Sequence, residues 1–399
     1  MSTRILTGDC RETLKTLGEG TVQCVVTSPP YWGLRDYGAD GQIGLEVTPD
    51  EYIAAMVEVF REVRRVLRDD GVCWLNLGDS YTSRGRDSRA PDMKDSKGDR
   101  ENESRPPTPS GLKPKDLVGI PWRVAFALQA DGWWLRQDII WSKNNPMPEP
   151  VTDRCTRSHE YLFMLTKSER YFYDAEAIKE PLASPGAMSP FGTKHAHAQN
   201  AQFSHSGRVY DAGAVGSRNK RSVWTVNPRP YDGAHFAVMP PMLVEPCVLA
   251  GTSEAGCCPT CGAPWERETE RVGGTSGDNL GLREDAPRAG IRGSGLSGAP
   301  PSHMIGKTVT KGWAPTCQCP EHTPVPCTVL DPFGGSGTVG MVSRWLGRDA
   351  VLCELNPEYV KLIEERVVME RTDTGGARRV EPAVGGGASL DLLGDVFGE

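Results

Sequence analysis

The amino-acid sequence predicts an α/β fold built on a mostly parallel sheet, with inserted loops. Strand and helix signals alternate over positions 1–80, the pattern of strands joined by crossover helices. Near the other end, residues 328–331 lead through a glycine turn into a helix and then a strand at 350–354. At 399 residues the chain can bury a substantial core, as one large domain or two modest ones.

Taken in order, residues 4–7 are a short apolar run stopped by Gly8 and Asp9. Residues 22–27 are a second run, rich in β-branched side chains, stopped by Ser28, Pro29 and Pro30. Thr48, Pro49 and Glu51 form a helix start: a hydroxyl cap, proline in the first turn and an acid three residues after the cap. Apolar residues at 52, 53, 56, 57, 60, 63 and 67 keep helical period, Gly71 is the expected stop, and 72–77 reads as a buried strand. Residues 81–115 hold nine Lys/Arg against six Asp/Glu and little that is apolar, as expected of a solvated, mobile basic loop. Residues 118–130 read as a helix stopped at Gly132, 134–141 as a strand, and 161–166 with 171–173 as a strand pair. Residues 180–220 read as loop, 269–312 as a Gly/Ser-rich disordered insertion and 372–399 as a Gly-rich tail.

A net charge of −7 excludes a histone-like polycation but not a local basic groove. No apolar run reaches the roughly 20 residues of a membrane span. The first ten residues lack the apolar core of a signal peptide. These features predict a soluble, cytoplasmic protein with no membrane partner. Ten tryptophans argue for a packed enzyme, and six of the twelve cysteines fall between Cys257 and Cys327. Cys258 and Cys261 form a C-x2-C knuckle followed by Gly262. Cys317 and Cys319 are a second pair, separated from the first by a long stretch of chain. Four thiolates would close a tetrahedral structural zinc site with no position open for catalysis. Cys257, His322 and Cys327 are alternative ligands.

Gly335, Gly337 and Gly340 fit G-x-G-x-x-G after the strand 328–331, and Thr338 opens the helix. Glu354 ends the next strand, and its interval from Gly335 is close to the roughly 20 residues expected of a ribose-binding carboxylate. Three readings stay open: a tight strand–helix turn, a nicotinamide or flavin site, and an S-adenosylmethionine (AdoMet) site. Asp331 and Phe333 ahead of the glycines point to the third. An acid there can pair with the ammonium of AdoMet, whereas a pyrophosphate gains nothing from it.

Ser28, Pro29, Pro30 and Tyr31 end a strand in a stiff extended turn. Ser28 and the Pro29 carbonyl are then two acceptors held close together, with the flat faces of Tyr31 and Trp32 beside them. An exocyclic amine needs two acceptors for its two N–H groups and a ring on which its base can stack.

With the Ser-Pro-Pro-Tyr turn at 28–31 and the glycine loop at 331–337, the sequence resembles the DNA amino-methyltransferases, in the permuted arrangement where the catalytic turn precedes the AdoMet loop. The resemblance covers roughly residues 1–180 and 220–370, including 223–243 just ahead of the loop. It implies a seven-stranded, Rossmann-like AdoMet-dependent methyltransferase sheet carrying a small zinc-ribbon-like knuckle. It also implies that Asp9 approaches the adenine end of AdoMet, that Phe333 borders it and that Glu354 holds its ribose. Residues 1–80 and 116–180 would then form the catalytic half, 81–115 the basic loop, 181–230 a variable target-recognition segment, and 231–256 a segment ahead of the cofactor loop. Residues 257–326 would hold the knuckle and its insert, 327–371 the AdoMet half, and 372–399 the tail.

The implied activity is methylation of an exocyclic amine in double-stranded DNA. The serine form of the turn is typical of cytosine-N4 enzymes, whereas adenine-N6 enzymes more often carry Asp there. A flipped base would stack on Tyr31 while Ser28 and Pro29 orient its amine. Cytosine-C5 chemistry would need an activated cysteine, and Cys247 and Cys327, the two that follow prolines, lie far from the turn in sequence. Arg35, Lys143, Arg154, Arg157, Arg208, Arg218, Lys220, Arg221 and Arg229 are candidate phosphate contacts, and His159 with Glu160 a candidate pair. A cognate restriction endonuclease would fit as partner. A dinucleotide-dependent oxidoreductase explains the glycine loop but not Ser28–Tyr31; a zinc-ribbon DNA-binding protein without catalysis leaves both motifs without a purpose.

Overall fold

A computed structural model describes residues 1–34, 36–82, 111–181, 217–228, 238–272, 307–371 and 377–378. The elements are, in order, β1 (Thr3–Thr7), α1 (Cys10–Thr13), β2 (Val22–Thr27), α2 (Pro49–Val66), β3 (Leu67–Leu77), α3 (Ile120–Ala130), β4 (Trp134–Ser142) and β5 (His159–Thr166). Then come β6 (Glu180–Pro181), β7 (Ser217–Arg218), β8 (Val223–Thr225), α4 (Pro241–Gly251), β9 (Trp265–Val272) and β10 (Lys307–Pro315). The last are β11 (Thr328–Asp331), α5 (Thr338–Trp345), β12 (Asp349–Glu354), α6 (Pro357–Val367), β13 (Glu370–Arg371) and β14 (Ala377–Arg378). They fall into two units, one of residues 1–174, 221–265 and 315–399, the other of 175–220 and 266–314.

In the first unit an eight-stranded sheet runs β1-β12-β11-β2-β3-β5-β4-β8. The five strands from β1 to β3 are mutually parallel. β5 opposes both β3 and β4, and β8 lies parallel to β4. The eighth strand is the departure from the seven expected: Val223 pairs with Ile140 at the sheet edge, and β8 is too short to read as a strand in sequence. The central strand β3 is buried continuously over Gly71–Leu77, as befits a strand covered on both faces. Tyr52, Met56, Phe60 and Val63 of α2 cover one face with Val124 and Leu128 of α3.

Thr48 caps α2 as expected: its hydroxyl accepts the Glu51 N–H at 3.2 Å, and the Glu51 carboxylate accepts the Thr48 N–H at 3.0 Å. The helix ends at Val66, ahead of the expected stop at Gly71, because Leu67 turns extended (φ −69°, ψ 138°) and pairs with Val22. α3 starts at Ile120, where the Asp79 carboxylate accepts the Gly119 and Ile120 N–H groups at 2.9 and 3.0 Å. Residues 171–173 do not pair with β5, whose partners are β3 and β4; the Phe172 N–H donates instead to the Asp70 carbonyl at 2.8 Å.

In the second unit β6 and β7 pair antiparallel, held by Arg218 and Glu180 at 2.8 Å. β9 and β10 form a two-stranded sheet in which Lys311 meets Glu270 at 2.5 Å. The Gly/Ser-rich insertion is therefore narrower than 269–312, since both of its ends are strand; its middle, 273–306, lies outside the described residues. So do most of the basic loop and of the tail, and 182–216 and 229–237 of the variable segment with the start of its neighbour. Among the described residues no helix is long and apolar enough to cross a membrane.

Candidate active site

β2 and β11 are adjacent and parallel, with Val329 beside Cys24 and Leu330 beside Val25. Their C-terminal ends therefore emerge together, at the edge where open α/β sheets bind ligands. One cavity of about 770 Å³ lies there, within the range of small-molecule sites. Ser28, Pro29, Pro30 and Tyr31 line it, and so do Asp9, Asp331, Phe333, Gly335, Thr338 and Glu354. A direct bond joins the two motifs: the Thr27 hydroxyl donates to Asp331 Oδ1 at 2.6 Å, out of solvent.

On the β2 side, the Ser28 hydroxyl lies 3.3 Å from both Tyr31 Oη and Asn76 Oδ1. Tyr31 Oη donates to Glu160 Oε2 at 2.7 Å. Asn76 Nδ2 donates to the Tyr161 carbonyl at 3.0 Å, which fixes the amide. Lys143 forms an ion pair with Glu160 and stands 4.2 Å over the Trp141 ring. The Tyr52 hydroxyl donates to the Pro30 carbonyl at 2.8 Å, which ties the proline turn to α2. The Tyr31 ring passes so close to Gly78 that a Cβ there would lie 2.4 Å from Cε2. Burial, with the Glu160 carboxylate, holds the Tyr31 phenol well above its usual pKa, so Tyr31 stays a neutral donor. Trp32 is not part of the wall: it is buried in the core, with Nε1 donating to the Glu46 carbonyl at 2.9 Å.

On the β11 side, Asp331 Oδ1 also accepts the Phe333 N–H at 3.0 Å. Both bonds land on the one oxygen, Oδ1. Burial, opposed by these bonds and helped by Glu354, raises the Asp331 pKa to about 8. Glu354 ties the loop to β12: Oε2 accepts the Gly335 N–H at 2.7 Å and Oε1 the Asn356 N–H at 2.8 Å. Its pKa is raised by burial. Gly337 (φ +77°) is glycine because a Cβ would lie 3.1 Å from Ile363. At Gly335 (φ +53°) a Cβ would meet only the Phe333 carbonyl, at 3.8 Å, so its open side faces the cavity. Close approach to a ligand thus concerns Gly335; Gly337 is spent on helix packing. Asp9 caps α1 and is clasped by Arg11 at 2.5 Å, whose hydrogen bond lowers its pKa.

The sulfurs of Cys258, Cys261, Cys317 and Cys319 all lie within 4.8 Å of one another. The alternatives fall outside this set. Cys257 Sγ bonds the Pro326 carbonyl at 3.7 Å, Cys327 Sγ the Ser253 carbonyl at 3.9 Å, and His322 Nδ1 lies 2.7 Å from the Pro320 carbonyl.

Several basic candidates have local partners. Lys143 belongs to the cavity wall, Arg154 pairs with Glu149 at 2.6 Å, Arg157 donates to the Asp79 carbonyl and Arg218 pairs with Glu180. Arg35, Arg208 and Arg229 lie outside the described residues. Of the pair His159–Glu160 only Glu160 enters the cavity; His159 packs edge-on against Tyr161 at 5.4 Å. Asn76 belongs to no motif visible in the sequence. Its signal was a lone amide in the apolar run 72–77, because a buried amide must be hydrogen-bonded.

Sheet order and cavity together define an α/β protein with its site at the carboxyl ends of the parallel strands. The profile of the DNA methylase family of N6 and N4 methyltransferases matches residues 22–258 and 322–365, and the chain belongs to that family of DNA amino-methyltransferases. It is 41% identical over 370 residues to the Type II methyltransferase M.SmaI of Serratia marcescens, covering 93% of this chain and 92% of that protein. It is 43% identical over 360 residues to the Type II methyltransferase M.XycI of Xanthomonas campestris pv. cyanopsidis, covering 90% and 86%. In fold it is similar to the PvuII DNA methyltransferase (cytosine-N4-specific), with a TM-score of 0.51 at 16% identity, covering 93% of this chain and 87% of that one.

Proposed function

We propose that this chain transfers a methyl group from AdoMet to an exocyclic amine of a specific site in double-stranded DNA, cytosine N4 in preference to adenine N6. The observation that carries this reading is the single cavity shared by Ser28–Tyr31 and the loop of Asp331 and Gly335. The residues fit the cofactor. Asp331 Oδ2 suits its ammonium, the open side of Gly335 gives room for close approach, and Phe333, Glu354 and Asp9 border the rest. When bound, AdoMet supplies a methyl group made electrophilic by its sulfonium.

The protein's part is orientation. Ser28 O–H donates into the Tyr31–Asn76 network, so its lone pairs are left to accept from the target amine beside the Pro29 carbonyl. Both acceptors face the nitrogen as positive charge grows on it, which favours the transition state over the ground state. Well-oriented reactants can be worth about 7–11 kcal/mol. Tyr31 offers its ring for base stacking while its hydroxyl is tied to Glu160. No covalent intermediate is required. The cytosine preference rests on Ser28, neutral where the adenine enzymes more often carry an acid. The Type II relatives fit a partnership with a restriction endonuclease. Structural zinc on Cys258, Cys261, Cys317 and Cys319 is the second cofactor of this reading.

Calorimetry with AdoMet and NAD tests it. AdoMet binding with no NAD binding is expected; the reverse would return the glycine loop to a dinucleotide enzyme.

A further inference from the structure

We infer that the zinc knuckle is a brace, holding the three strands that feed the methyl-transfer cavity from the ends furthest from it. The inference rests on zinc occupying the four thiols. Cys258 and Cys261 sit in a reverse turn closed by the Gly262 N–H donating to the Cys258 carbonyl at 2.8 Å. That turn offers two carbonyls to the sheet. The Gly262 carbonyl accepts Nε2 of Gln23, on β2, at 3.1 Å, and the Cys261 carbonyl accepts the Arg68 guanidinium, on β3. The other end of the buried Gln23 amide, Oε1, accepts the N–H of Thr328, which opens β11, at 2.7 Å. Cys257 exchanges both backbone hydrogen bonds with Val325, at 2.8 and 2.9 Å, on the segment entering β11.

These strands carry the site at their far ends: β2 leads to Ser28, β3 carries Asn76 and β11 ends at Asp331. From Gln23 to Ser28 the chain covers about 17 Å at strand rise. The knuckle has little apolar material to hold its shape, although the pairing of β9 with β10 and the Thr316 hydroxyl on the Pro264 carbonyl bring its two cysteine pairs together. A metal bound by the four thiols contributes its binding energy to folding. Without it the turn would give up the carbonyls that Gln23 and Arg68 use, and Gln23 would be a buried amide with an unpaired donor between β2 and β11. His322 lies against the cluster, with Nδ1 3.9 Å from Cys258 Sγ and its ring edge-on to Trp265. The residues between the family profile's two matched stretches, 259–321, include three of the four thiols. The brace is thus an addition to the part of the chain that the profile recognises.

Elemental analysis, cobalt substitution, thermal melting and AdoMet calorimetry on the full chain test this together. The purified protein should hold one zinc per chain, and cobalt(II) in its place should show the strong charge-transfer absorption of a four-thiolate site. Cys317→Ser with Cys319→Ser should lose the metal, melt lower and bind AdoMet severalfold more weakly. Gln23→Leu, which touches no ligand, should keep its zinc and still melt lower and bind AdoMet more weakly. A protein that takes up neither zinc nor cobalt overturns the site and the brace with it. Full zinc in Gln23→Leu with wild-type melting and AdoMet affinity overturns the brace alone.

Discussion

In the proposed reaction Ser28 and AdoMet are served by different elements, so their roles are separable. The Ser28 hydroxyl lies 3.3 Å from Tyr31 and Asn76, while the residues that would hold AdoMet lie at the ends of β11 and β12. Ser28→Ala should therefore leave the AdoMet dissociation constant unchanged and lower single-turnover methyl transfer by roughly 10²–10³-fold, the scale of losing one preorganised polar group; an unchanged rate would take Ser28 out of the chemistry. Gly78→Ala probes the placement of the Tyr31 ring from outside the cavity's own residues. The new methyl would overlap Cε2 at 2.4 Å, so the ring must move, and turnover should fall while AdoMet binding persists. Asp331 gives a pH signature. Its pKa of about 8 in the free protein, against 3.8 unperturbed, means that it holds a proton at neutral pH. A cationic ammonium beside Oδ2 favours the carboxylate, so AdoMet binding at pH 7 should release a proton, and affinity should climb as pH rises from about 6 toward 8. Binding heats at neutral pH in two buffers of different ionisation enthalpy read this directly, and equal heats would contradict it. In the free protein the sign is opposite for folding. An acid with a raised native pKa binds its proton more tightly folded than unfolded between about pH 4 and 8. Its contribution to stability falls as pH rises through that window, and Asp331→Asn should remove that slope.

The elements show what sequence could and could not foretell. Thr48, Pro49 and Glu51 specify the start of α2 by local chemistry alone, and the capping box forms as read. Thr48→Ala should cost about 1 kcal/mol, within the range measured for caps, seen as a melting point lower by a few degrees without loss of AdoMet affinity. The other end of α2 was not legible, because Leu67 leaves the helix to pair with Val22, a partner distant in sequence. Residues 171–173 fail to pair for a related reason: three successive aromatics promise a strand, but the Phe172 N–H goes to the Asp70 carbonyl on β3. The two motifs were legible because a proline turn and a glycine turn carry their geometry in a few residues. Glu160 and Asn76 join Tyr31 only through the pairing of β3 with β5, strands far apart in the chain, so no local pattern places either of them beside Tyr31. Lys143 was read as a phosphate contact because an isolated lysine in sequence looks solvated; its burial against Glu160 and Trp141 is a product of the sheet.

At the scale of the molecule, the parallel order β12-β11-β2-β3 puts strand ends from both halves of the sequence at one edge, and the proposed reaction depends on that convergence. Positions 1–80 and 327–371 meet there although most of the chain lies between them. The most direct test is methylation of unmodified double-stranded DNA with AdoMet carrying a deuterated methyl group, followed by digestion and mass spectrometry of the nucleosides. The label should appear on an exocyclic amine, as N4-methylcytosine, and vanish in Ser28→Ala. Label at cytosine C5, or none in DNA from a protein that binds AdoMet, would contradict a cavity built to orient an amine between Ser28 and the cofactor loop.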